Sequence, residues 1–296
     1  MKKVLLAGFC LFLVGLSSCQ ESPQSESLPP DATQRRSEDW GSEIPLEKAI
    51  EAPVLPLEIQ ALLKAYEGEG LLVNAVPPYT VGLRNGTAIP FDDGLEKDFY
   101  LMLEKGDLQD SLSQPYPLGP LEALPEKNAD PGRIRNYAFM GALYGSEEAE
   151  IRANLEAVAW PFGPNPKTFY VTRIAGAAEA LRAVVDELEA LGPEFLPYLM
   201  DPGGSFNYRR VLGTERLSAH SYGIAVDINV AKSNYWRWVY GAETDNVDYV
   251  NQIPYEIVEI FERHGYIWGG KWYHYDTMHF EYRPELLKLA QLRAQE

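Results

Sequence analysis

Both cysteines of this chain, Cys10 and Cys19, fall within its first nineteen residues. Everything downstream must therefore fold without a disulfide and without a thiolate metal site. Buried apolar surface has to hold that fold together, and the composition supplies it. Of 296 residues, 46% are hydrophobic and 12% aromatic, enough for a sizeable core. Any transition metal must draw on imidazole and carboxylate, and the chain has four histidines. The net charge of -17 argues against a nucleic-acid partner, because counterion release needs a basic surface. It does not identify a substrate.

The N-terminus reads as an export signal. Lys2 and Lys3 precede an apolar run from Val4 to Leu16 that is too short to span a bilayer as a helix. The run ends in Leu16-Ser17-Ser18-Cys19, which resembles the lipobox of bacterial lipoproteins. The expectation is a signal peptide over 1–18 and lipidation of Cys19. A cell-envelope location is then expected, anchored to a bacterial membrane and facing the periplasm or the exterior. The alternative is an ordinary secretory signal that contains a cysteine. Residues 19–53 are polar, Pro-bearing and poor in aliphatics, so they read as a flexible tether.

Residues 54–145 are expected to form an accessory region in which no chemistry is evident. Leu55 to Tyr66 predicts a short helix ended by Gly68. Arg84-Asn85-Gly86 between apolar runs predicts a hairpin, and Asp130-Pro131-Gly132-Arg133-Ile134-Arg135 predicts a turn. The pattern becomes regular over 146–296. Ser146 is expected to cap a helix whose face carries Ile151, Leu155 and Val158. A strand comes next at Thr168 to Arg173, then a helix through Leu181, Val184, Leu188 and Leu191 that stops at Gly192-Pro193. Another helix runs from Pro254 to Gly265. Short strands are expected at Ile224 to Ile228, Tyr266 to Trp272 and Met278 to Tyr282. Helices and strands mix without a βαβ rhythm, so the class is α+β.

Two stretches carry chemistry. In Ser218-Ala219-His220-Ser221-Tyr222-Gly223-Ile224-Ala225-Val226-Asp227, a strand beginning near Ile224 puts Val226 and Asp227 on opposite faces. Gly223 permits a sharp entry, so His220 can fold back toward the Asp227 carboxylate. Further on, His274, Asp276, His279 and Glu281 cluster within eight residues. A catalytic zinc needs three protein ligands and an open position, and His220, Asp227 and His279 supply that number. A nearby carboxylate is then needed to take a proton. Taken singly, each of these residues is as well read as a surface or hydrogen-bonded side chain.

Together, Ser218-x-His220-x-x-Gly223-x-Ala225-x-Asp227 and Asp276-x-x-His279 resemble the D-alanyl-D-alanine carboxypeptidase family of zinc peptidases, the VanX and VanY-like enzymes. The resemblance covers about residues 150 to 296. It implies a small antiparallel sheet with flanking helices around a zinc site, as in the Hedgehog and DD-peptidase group, with an N-terminal α/β extension before it. It also implies Zn2+ on His220, Asp227 and His279, and Asp276 as general base and acid, where some relatives carry Glu. Arg209 is the expected oxyanion-stabilising arginine, with Arg210 and Arg216 as rivals. In a regular strand over 278–282 Glu281 shares a face with His279 and is open between base, ligand and a residue that orients the imidazole, the last being favoured. His274 stays open between a substrate contact and a structural role. The implied substrates are peptidoglycan stem peptides, cut as a D-alanyl-D-alanine carboxypeptidase. The alternatives are an L-alanyl-D-glutamate endopeptidase and a non-catalytic zinc-bearing wall-binding module.

Overall fold

Apolar residues at helical spacing behind Pro56 start the ordered chain. Ile59, Ala61 and Leu62 form the buried stripe of α1 (Leu57–Ala65). The computed structural model describes residues 54–74, 76–240 and 247–296. The expected signal, the Cys19 lipidation site and the tether lie outside the described residues. After α1 come β1 (Leu72–Val73), β2 (Thr80–Gly82) and β3 (Ala88–Pro90), an antiparallel sheet in that order. The expected hairpin is its second half. Gly86 at φ 84 closes the turn, and Leu83 N–H donates to Thr87 O at 2.8 Å. Two capped helices come next, α2 (Phe99–Lys105) and α3 (Tyr137–Tyr144). Asp98 accepts from Leu101 N–H and Asn136 from Phe139 N–H, both at 2.8 Å.

The next segment departs from expectation. Ser146 does not cap α4 (Glu148–Ala153); its N–H instead donates to the Glu150 carboxylate at 3.0 Å. The helix also ends before Leu155, which opens β4 (Leu155–Trp160) against β5 (Lys167–Thr172). Six register pairs, from Leu155↔Thr172 to Trp160↔Lys167, satisfy the backbone as a ladder. Val158 and Trp160 are buried while Ala157 and Ala159 are exposed, a period of two that ordinary helical spacing had masked. The helix α5 (Ala177–Glu189) covers this pair with Leu181, Val184 and Leu188 as expected, but it ends before Leu191.

After the short α6 (Leu196–Leu199) and β6 (Pro202–Gly204) the chain enters the third sheet with β7 (Ala225–Asn229). It continues through α7 (Trp236–Tyr240), α8 (Tyr255–Arg263), β8 (Tyr266–Trp268), β9 (His279–Tyr282) and α9 (Pro284–Arg293). The expected strand Tyr266 to Trp272 stops at Trp268, where Gly269–Lys271 makes a 3-10 turn. The antiparallel sheet has the order β6-β7-β9-β8. One face is core: Val226, Ile228 and Phe280 are fully buried, and Phe261 of α8 stacks on Phe280 at 3.9 Å. The opposite face of β7 and β9 carries polar side chains. The architecture is α+β, with small antiparallel sheets and flanking helices.

Residues 54–145 pack onto the C-terminal half of the chain. The helix α1 lies against α9, and Tyr66 donates to Glu285 at 2.7 Å. All these elements fall in one compact unit, Ile50–Glu296. Among the described residues, no helix is long and apolar enough to cross a membrane.

Candidate metal centre

Strand register brings the first two candidate ligands together. Asp227 of β7 sits directly opposite His279 of β9, and His279 Nδ1 lies 3.0 Å from Asp227 Oδ1. Ala225 pairs with Glu281 two positions along the same face, so the small side chain leaves room for that carboxylate. His220 arrives from the 3-10 turn Ala219–Tyr222, and its Nε2 lies 3.3 Å from Asp227 Oδ2. Two glycines make the approach possible. Gly223 holds φ at 69, and a Cβ there would meet Leu155 Cδ2 at 2.5 Å. A Cβ on Gly203 would meet Asp227 Cβ at 2.9 Å.

The donor set fits a divalent transition metal. His220 Nδ1 lies 2.6 Å from the Ser205 carbonyl, which directs Nε2 inward. His279 turns Nε2 toward Glu281 Oε2 at 3.4 Å and leaves Nδ1 toward Asp227. One ligand atom from each of His220, Asp227 and His279 lies within 4.8 Å of the others. Two imidazoles and a carboxylate are the nitrogen and oxygen chemistry that suits zinc. Electrostatics point the same way. Burial alone would raise the Asp227 carboxyl, but His220 and His279 hold it far below the usual range. Burial disfavours charge on His279, yet hydrogen bonds to Asp227 and Glu281 push it up to about 9. The pocket is built to hold positive charge.

Asp276 stands beside this group on the loop before β9. Its carbonyl accepts from His279 N–H at 3.2 Å, and its own N–H donates to Gly269 O at 2.9 Å. It also pairs through its backbone with Tyr235. Its Oδ1 is buried and has no hydrogen-bond partner. Burial and the Asp227 charge raise its carboxyl to about 6, against the lowering effect of His279, Arg133 and His220. A buried carboxylate near neutrality with a spare acceptor is suited to moving a proton.

The remaining candidates separate. Glu281 is fully buried behind His279 and receives Arg135 Nε at 3.0 Å and Arg283 Nη1 at 3.3 Å. Burial would raise its carboxyl, but Arg135, His279 and Arg283 hold it well below the usual range. Glu281 is therefore placed to orient the imidazole. His274 is held by Asp130 through Nδ1 at 2.6 Å and its N–H at 2.8 Å. Arg209 is exposed, and its guanidinium makes no hydrogen bond or ion pair among the described residues. Arg210 pairs with Glu215 at the surface, and Arg216 pairs with Glu104 at 3.0 Å. Trp268 and Trp272 are buried, and the Trp272 ring lies 5.6 Å from that of His279.

Two arginines near the site were missed. Arg133 lies over Trp272 at 4.5 Å and acts on Asp276, while Arg135 anchors Glu281. Both come from the region expected to carry no chemistry. The available signal was their alternation, Arg133-Ile134-Arg135, just after a Pro-Gly turn.

His220, Asp227 and His279 form a group that could bind a metal, and a family match around them supports a peptidase domain. Residues 212–282 match the family model described as D-alanyl-D-alanine carboxypeptidase, and the match supports the family to which the two motifs pointed. It spans His220, Asp227, Asp276 and His279 and excludes Arg133 and Arg135. Comparison with curated proteins and with solved structures gives no match.

Proposed function

We propose that this protein is a zinc-dependent peptidase of peptidoglycan stem peptides, acting as a D-alanyl-D-alanine carboxypeptidase. One observation carries the reading: His220, Asp227 and His279 converge beside a buried carboxylate, Asp276, whose Oδ1 has no other partner. His220, Asp227 and His279 would hold the ion, and zinc when bound supplies Lewis acidity for water and for the scissile carbonyl. Asp276 takes the proton of the attacking water at Oδ1 and returns it to the leaving amine. The Arg133 charge favours the ionised form of Asp276 before that transfer. Glu281, locked by Arg135 and Arg283, keeps the His279 ring in one orientation. In the same reading Cys19 is lipidated and the enzyme works at the cell envelope, where this substrate is found; the order of basic start, apolar run and Ser17-Ser18-Cys19 supports it.

The test is digestion of purified muropeptides by zinc-loaded protein, with products weighed by mass spectrometry. Free D-Ala is expected, and the Asp276→Asn protein should retain zinc and release none. Cleavage between L-Ala and D-Glu would make the enzyme an endopeptidase. Intact muropeptides after incubation with metal-loaded protein would overturn the proposal.

A further inference from the structure

A cleft of about 560 Å³ is linked to the metal cluster through the residues that line it. Arg133, Tyr235 and His274 line it. Arg133 stacks on Trp272, which neighbours His279, and Tyr235 pairs through its backbone with Asp276. Its volume lies within the roughly 300–1,000 Å³ range of small-ligand sites, so it suits a peptide of a few residues. Aromatic rings form much of the wall, with Phe99 from α2 and Trp236 from α7 both neighbouring the His274 ring.

The charge of this cleft runs against that of the chain. The whole sequence has 43 acidic residues against 26 Lys and Arg. The cleft is lined by four arginines, Arg133, Arg135, Arg216 and Arg237, and by two carboxylates, Glu104 and Asp130. The carboxylates are already engaged: Glu104 with Arg216 at 3.0 Å and Asp130 with His274 at 2.6 Å. Arg135 is taken by Glu281. That leaves Arg133 and Arg237, and neither forms an ion pair among the described residues. Arg133 Nη2 donates to the His274 carbonyl at 2.6 Å, and Arg237 Nη1 to the Leu212 carbonyl at 3.4 Å. The Nε of each is buried without a hydrogen-bond partner. Each guanidinium lies over an indole, Arg133 at 4.5 Å from Trp272 and Arg237 at 5.2 Å from Trp236. Stacking occupies the face of a guanidinium and leaves its donor edge for a carboxylate.

We propose that this cleft binds a carboxylate of the peptide substrate, with Arg133 and Arg237 as its cationic contacts. The inference rests on the stem-peptide reading above for the identity of the ligand. It also gives residues 54–145 a task, since Arg133 and Phe99 come from that region and the family match does not reach them. A low-dielectric cleft whose Arg133 and Arg237 form no ion pair among the described residues focuses the field on an anion that the acidic surface otherwise repels.

Binding rather than turnover decides the matter, so the zinc-loaded Asp276→Asn protein is the background. Tryptophan fluorescence would follow two pairs of probes. One pair is N-acetyl-D-Ala-D-Ala and its C-terminal amide. The other is N-acetyl-L-Ala-γ-D-Glu-L-Lys amide with the D-Glu α-carboxyl free or amidated. At least one acid should bind about tenfold or more tightly than its amide, and the pair that shows the difference identifies the carboxylate. Arg133→Gln and Arg237→Gln should each remove the preference while leaving amide affinity unchanged. Arg237 is partly exposed, so its variant decides alone if Arg133→Gln does not fold. Equal binding of acid and amide in both pairs, or equal weakening of both by the variants, overturns the proposal. An acid preference in a protein whose Asp276-containing parent cuts no muropeptide would remove the hydrolytic reading and leave the cleft standing. An active parent without that preference would do the reverse.

Discussion

Two places among the described residues gather three possible ligand residues within 4.8 Å: His220, Asp227 and His279, and also Asp92, Asp93 and Asp107. Distance does not separate them; the use of their lone pairs does. In the acidic group, Lys97 Nζ reaches Asp93 at 2.7 Å, Asp107 at 3.0 Å and the adjacent Asp110 at 2.7 Å. Backbone N–H groups are accepted as well, by Asp92 Oδ1 from Gly94 and by Asp93 Oδ1, the oxygen that Lys97 reaches, from Leu95. The hydrogen bond to Lys97 holds the Asp93 carboxyl below its ordinary value. That cluster is a closed loop clasp carrying its own cation. Around His220, Asp227 and His279 no lysine of the described residues forms an ion pair, the outer ring nitrogens are engaged elsewhere, and Asp276 keeps a free acceptor. Spare coordination capacity makes a candidate site, and proximity alone does not.

The comparison can be broken most directly at His220. His220→Ala should abolish zinc retention, measured by metal analysis after gel filtration, whereas Asp92→Asn should leave zinc content intact. Loss of zinc from the Asp92 variant would mean that the wrong cluster has been chosen. Next in size, Asp276→Asn should lower turnover by roughly 10²- to 10⁴-fold while zinc stays bound. A zinc-retaining variant with unchanged turnover would remove the proton-transfer role. Lys97→Met should lower stability in urea unfolding, because it leaves the buried Asp107 and half-buried Asp110 carboxylates without their counter-charge. Zinc affinity should not move with it. Glu281→Gln should weaken zinc by about 10- to 100-fold through the His279 ring; equal affinity in competition with a chelator would make that carboxylate a purely structural partner of the arginines.

The smallest effect is a proton count. With its pKa at about 9 in the metal-free site, His279 is protonated at neutral pH, and a metal ligand must be deprotonated. Zinc binding at pH 7.5 should therefore release about one proton, visible as a dependence of calorimetric heat on buffer ionisation enthalpy. The raised pKa sets the sign: release is present below about 9 and fades as the pH rises through it. No buffer dependence at pH 7.5 would place the proton elsewhere.

Much of the fold was legible because its patterns are local. The Asn85-Gly86 turn, the stripe Leu181, Val184 and Leu188, and the stop at Gly265 all depend on neighbours a few residues away. The failure at Ser146 to Val158 has a physical cause as well. Ile151, Leu155 and Val158 fit helical spacing, but six ladder pairs with a strand that begins only at Lys167 outweighed it.

By itself the sequence determined which chemistry is open to this protein. With no cysteine after residue 19 and four histidines, ligand types were narrowed to imidazole and carboxylate, and two spaced motifs named the residues. Only the tertiary structure decided which charges meet. The Asp227↔His279 register, the engagement of Glu281 by Arg135, and the placing of Arg133 over Trp272 join residues 52, 146 and 139 apart in the chain by subtraction of their numbers. Such pairings leave no local periodicity, because strand order and burial set them rather than the spacing of neighbours.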